Sequence, residues 1–91
     1  MSPEQIRQIA YTYDRALCPL SGIKEGGTRL EHTRWMCRQI ADDFVANDKI
    51  EKANRWLGFI QGVLWIEGIF TIAQLREHSR EYMNIDNVAE Q

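Results

Sequence analysis

The stretch from Asp48 to Glu67, DKIEKANRWLGFIQGVLWIE, limits the fold more than any other part of the chain. At the 3.6-residue helical period, Ile50, Ala53, Leu57, Ile60 and Leu64 fall on one stripe, which Trp56 and Val63 widen. Phe59 and Ile66 lie nearly opposite, with Gly58 and Gly62 between that side and Trp65. A helix built this way can show its first half, with Lys49, Lys52 and Arg55, to water, but its second half needs neighbours on two sides. Each of Gly58 and Gly62 costs about 1 kcal/mol in helix propensity relative to Ala. Spaced four apart, they make a groove walled by Phe59 and Trp65 that a second backbone can approach closely. The expected occupant is another helix of the same chain, with self-association as the alternative. The spacing also occurs in membrane helices, but Lys, Arg, Asn and Glu bound an apolar run too short to span a bilayer.

The remainder of the chain supplies packing for this helix. Its 91 residues suffice for a single domain with one core, and an apolar share of 44% with three tryptophans can fill it. The 11 basic and 13 acidic residues are interspersed and leave a net charge of −2, which exerts no general attraction for nucleic acid or anionic membrane. Cys18 and Cys37 lie far apart with no metal-ligand spacing around them, so reduced thiols are expected, with no disulfide scaffold and no zinc. The opening MSPEQIRQ lacks the basic and apolar regions of a signal peptide, from which a soluble cytoplasmic protein is expected.

Helix boundaries are legible in the caps. Ser2-Pro3-Glu4-Gln5 starts a first helix with a capping box, Ile6, Ile9, Ala10, Tyr13, Ala16 and Leu17 form its apolar face, and Pro19 ends it near Leu17. Residues 18–27, CPLSGIKEGG, form a loop. Gly26-Gly27 beside Arg29, ahead of a helix start, fits an anion site only weakly, because no strand or P-loop lysine accompanies it. Thr28 and Glu31 make a second box for a helix to about Ala46, buried along Leu30, Thr33, Cys37, Ile40, Ala41, Phe44 and Val45. Asp48 with Glu51 is expected to cap the central helix, and the short turn before it makes the two helices an antiparallel hairpin. Gly68 terminates the central helix, and Thr71 with Gln74 starts a short last helix, Ile72 to about Arg80. That helix is expected across the end of the hairpin, against Phe59 and Ile66. Residues 82–91 show no periodicity and are expected to be disordered or a loose arm. The fold class that follows is all-α, a helical hairpin with a packed N-terminal helix and a short C-terminal one.

The chemistry-bearing residues point to recognition. Trp35 is off the buried stripe, outward among Glu31, Arg38 and Asp42, which are spaced to pair at i, i+3 and i+4. An outward tryptophan beside arginine is the composition of an interface hot spot, unless the N-terminal helix or the loop covers it. His32 stands beside it without a nucleophile or carboxylate in any catalytic spacing. Arg34, Trp35 and Arg38 on one helix with Lys52, Arg55 and Trp56 on the next suit stacking on a base and contacts to phosphates. The same residues also suit a salt-bridged outer face with Glu31, Asp42 and Glu51. Gln61, close to the core stripe, either ties helices together or faces a pocket. Asp42 and Asp43 diverge by about 100° on a helix and cannot share one proton or metal. Neither long helix has a consistently basic face, so nucleic acid is not an expected partner.

The run from Glu51 to Trp65, EKANRWLGFIQGVLW, followed by Gly68-Ile69-Phe70-Thr71 and preceded by Glu31-His32 and Trp35-Met36, resembles short accessory proteins encoded by tailed bacteriophages and prophages. The resemblance covers roughly the last two thirds of the chain and carries over no catalytic or binding residues. It implies a phage-derived protein acting inside a bacterial cell by binding a host factor, a defence component or a signalling nucleotide. The resulting expectation is a non-enzymatic protein, without cofactor or metal and possibly homo-oligomeric, that binds a host or defence-system protein through the Trp35 face. Sequestration of a nucleotide by Arg38, Arg55 and a tryptophan is the competing expectation.

Overall fold

Five of the six positions that the apolar period assigns to the buried face of the first helix, Ile6, Ile9, Ala10, Tyr13 and Leu17, have no exposed surface, and the sixth, Ala16, is half-buried. The computed structural model describes residues 2–80 and is all-α. It contains α1 (Pro3–Leu17), a single 3₁₀ turn (Cys18–Leu20), α2 (Arg29–Gln39) continued by a π-helical segment (Ile40–Phe44), α3 (Ile50–Ile66) and α4 (Ile72–His78). The expectations placed on residues 82–91 lie outside the described part of the chain.

Capping boxes form at Ser2/Gln5, Thr28/Glu31 and Thr71/Gln74, each satisfying otherwise unpaired amides at a helix start. Gly68, at φ 75°, ends α3 in a Schellman motif. Its amide donates to the carbonyl of Trp65 and that of Ile69 to Leu64. Asp48 does not cap α3 as the sequence pattern suggests. The N-cap is Lys49, without a side-chain bond, and Asp48 sits at φ 59°, closing the preceding helical segment. There the amide of Lys49 donates to Phe44, the bond that Ile69 makes at the other end of α3. A short aspartate side chain tolerates the left-handed region better than most residues, so it serves where glycine would be usual.

α1 and α2 run antiparallel. Arg7 Nε donates to the carbonyl of Ala41, and Asp14 meets Arg34 and Arg38. α2 and α3 form the expected antiparallel hairpin, tied at its open end by Arg29 at the start of α2 and Glu67 just beyond α3. The π-helical segment widens the last turn of α2, marked by the Val45 amide reaching Ile40, and Ile40, Ala41, Phe44 and Val45 all stay in the core. Ala53, Leu57, Ile60 and Leu64 of α3 complete it. α4 buries Leu75 and is fixed to α1 through His78, whose Nδ1 lies 3.0 Å from the Tyr13 hydroxyl. It therefore does not lie against Phe59 and Ile66: the tyrosine offers α4 both a ring and a polar anchor, and Phe70 joins that aromatic cluster.

Candidate functional site

The Trp35 neighbourhood is assembled, but facing inward. Trp35 is half-buried against the core, stacked on His32 at 5.2 Å and tilted against Trp56 at 5.9 Å. Trp56 in turn meets the edge of Phe44 at 4.7 Å, and Lys52 lies over it. The ring that α3 sets against Trp35 is that of Trp56. The three polar residues expected to pair around it all have other partners. Glu31 Oε1 accepts from the Thr28 amide, Asp42 from the Tyr11 hydroxyl, and Arg38 Nε donates to Asp14 Oδ2 at 3.0 Å. Side chains on α1 and the backbone amide of the α2 cap outcompete the i, i+4 partners, because they offer direct hydrogen bonds to fixed groups.

Asp14 is the polar centre of the core. Its carboxylate is nearly buried and accepts from Arg34 Nε at 2.8 Å as well as from Arg38, while Arg34 also donates to the Ser21 carbonyl and holds the loop down. The hydrogen bond to Asp14 raises the pKa of Arg34 above its usual value. Arg34 is therefore a core cation with its charge matched, not a free ligand for phosphate. With Arg34 and Arg38 both turned to Asp14 and the tryptophans closed on each other, the basic and aromatic set does not converge on a common opening. The sequence signal for Asp14 was available, since it lies four residues after Ala10 and three before Leu17, on the buried face of α1. A carboxylate there requires a cation or several donors.

Gln61 ties helices together. Its Nε2 donates to the Tyr13 hydroxyl at 2.9 Å and to Ser79 Oγ at 3.2 Å, which joins α3 to α1 and to the end of α4. At the start of α2 the Glu31 carboxylate occupies the cap, its pKa lowered first by the Thr28 amide, and this negative charge closes the Gly26-Gly27 turn to an anion. The Gly26 amide is taken by His32 Nδ1. Burial pushes the Cys37 thiol up to about 12, far from a nucleophile's range, and Cys18 is exposed and unbonded to it. Among the described residues no cluster of His, Cys, Asp and Glu is placed to hold a metal ion, and no helix is long and apolar enough to cross a membrane.

What remains open is the second apolar side of α3. Phe59, Trp65 and Ile66 are 59%, 50% and 67% exposed, and Gly58 and Gly62 lie bare between them. They line a shallow groove of about 450 Å³, with Val63 along it and Arg29 at its rim. A Cβ added at either glycine would meet nothing within 4 Å. The expectation that another helix of the chain fills this groove does not hold among the described residues, because α1 and α4 both pack on the Tyr13 side. Arg55, on the same side one turn before Phe59, is exposed too. Searches against protein-family models, curated proteins and solved structures return no match to this chain.

Proposed function

We propose that this chain is a non-enzymatic recognition protein of the phage accessory kind, and that it binds a protein partner through the open face of α3 and not through Trp35. One observation carries the reading: Phe59, Trp65 and Ile66, each at least half exposed, surround helix-interior glycines that the described chain does not cover. Exposed apolar patches of about 300–600 Å² on small soluble domains commonly serve binding, and aromatic anchors beside an arginine are the residues that dominate interface energies. A host or defence-system protein inside a bacterial cell is the partner class that the phage resemblance suggests.

The test is affinity capture from bacterial lysate with three forms of the chain: wild type, Phe59→Ser with Trp65→Ser, and Trp35→Phe. A bound protein kept by wild type and Trp35→Phe but lost with the α3 double variant is the expected result. Equal capture by all three would overturn the assignment of the face.

A further inference from the structure

Resting on the assignment of the α3 face to protein recognition, we infer that a second copy of this chain can occupy it, docked antiparallel with the two-fold axis beside Gly62. The face is complementary to itself in that register. Gly62 meets Gly62 of the partner subunit, so the helix backbones can approach more closely than the usual 8–10 Å of side-chain-separated helices. Gly58 receives the partner's Ile66, and Phe59 lies against the partner's Trp65. Large side chains thereby face a glycine or another ring, and none faces another bulky aliphatic.

The helix interior supplies an independent reason. Two glycines there cost about 1 kcal/mol each, and nothing among the described residues lies close enough to require a missing Cβ. A backbone seated on the groove from outside gives that cost a structural purpose.

Charge points the same way. Lys49 at the N-cap is paired with Asp43 and Lys52 lies over Phe44 and Trp56, so Arg55 is the basic residue that the first half of α3 offers beside the groove, while the last turn has no basic residue and Glu67 stands at the C-cap. Within one helix that order opposes the dipole, which favours acids at the N-terminus and bases at the C-terminus. An antiparallel neighbour exchanges the ends, so Arg55 approaches the last carbonyls of the partner's α3 and the partner's Glu67, a carboxylate that its own Arg29 already holds at the rim.

The exposed portions of Phe59, Trp65 and Ile66 amount to roughly 350 Å² per copy, given the 150–250 Å² such large side chains present. Both copies together therefore bury about 700 Å² from these residues alone, and the flanks at Arg55 and Val63 extend the contact toward the ~1,200 Å² lower bound of specific interfaces. A contact of that size belongs to the weak, reversible class of association.

Solution mass by light scattering on the full chain tests this. At about 200 µM, a concentration suited to weak, reversible association, the expected mass is twice the 10.7 kDa of one chain, falling on dilution. Phe59→Asp should be monomeric at every concentration, with unchanged helical circular dichroism. Gly62→Cys in a Cys18→Ser background should form an interchain disulfide on mild oxidation, and Gly58→Cys in the same background should not. A wild-type monomer throughout overturns self-pairing, while the lysate capture, read on the same face, still decides the recognition reading. A dimer indifferent to Phe59→Asp overturns the face, and cross-linking at Gly58 in preference to Gly62 overturns the register.

Discussion

Replacing Gly58 and Gly62 with alanine separates what α3 needs for its own stability from what its open side is for. Each glycine in a helix interior is disfavoured against alanine by about 1 kcal/mol, because its backbone loses more freedom on folding. Neither position has positive φ and an added Cβ meets no atom within 4 Å, so no steric penalty subtracts from that gain. The double variant should therefore be more stable than wild type by about 2 kcal/mol in dilute solution, which for a domain of this size raises Tm by roughly 8–16 °C. A wild type that pairs through the groove gains further stability with concentration, since a partner that binds only the folded state adds RT ln(1 + [L]/Kd), and the variant with its filled groove gains less. Thermal unfolding followed by circular dichroism at roughly 2 and 200 µM reads both effects, the gap between the two proteins narrowing at the higher concentration. A variant that melts below wild type at the low concentration refutes the reasoning, because it means that the Cβ positions are covered within the chain. A gap that does not change with concentration removes pairing at the groove.

Four further outcomes follow from the geometry. Asp14→Ala leaves Arg34 buried without its counter-charge and should cost about 3 kcal/mol in urea unfolding, whereas Asp14→Leu with Arg34→Met should recover most of that loss. Trp35→Ala should cost about 2 kcal/mol, as expected for a half-buried ring removed from His32 and Trp56, and a neutral result would return Trp35 to the surface. Glu31 has a folded pKa below its ordinary 4.5, so its contribution is present above that pH and is lost as pH falls through the lowered value. Glu31→Gln keeps an oxygen for the Thr28 amide and should flatten this part of the Tm-against-pH curve. In thiol titration with an aromatic disulfide reagent, Cys18 should react in the native protein and Cys37 only after unfolding; fast native reaction at Cys37 would contradict its burial.

The elements themselves were legible in the sequence because local signals set them. Ser2/Gln5, Thr28/Glu31 and Thr71/Gln74 place helix starts within a few residues of chain, Gly68 stops α3 because it tolerates positive φ, and the 3.6-residue spacing of Ile60, Leu64 and their neighbours names the buried stripe. Asp48 shows where such signals become ambiguous: the same residue type serves an N-cap and a left-handed C-terminal position, and only the bond from Lys49 to Phe44 distinguishes them.

Which partner each polar or aromatic side chain takes was not local information. Arg38 and Asp42 had suitable neighbours on their own helix, yet Asp14 and Tyr11 of α1 reach them, across more than 20 residues of sequence. Trp35 looked outward on a helical wheel, but the wheel contains no second helix, and Trp56 turns that flank inward. The open face of α3 is the converse case. Its two-sided apolar pattern and its glycines were written in the chain from the start, while whether a neighbour covers them depends on where α1 and α4 come to rest. Helix identity follows from short-range backbone and capping energetics, which a sequence displays directly. Occupancy of a face depends on competition among surfaces for the same contacts, and tertiary packing, by seating α4 on Tyr13, left this one exposed.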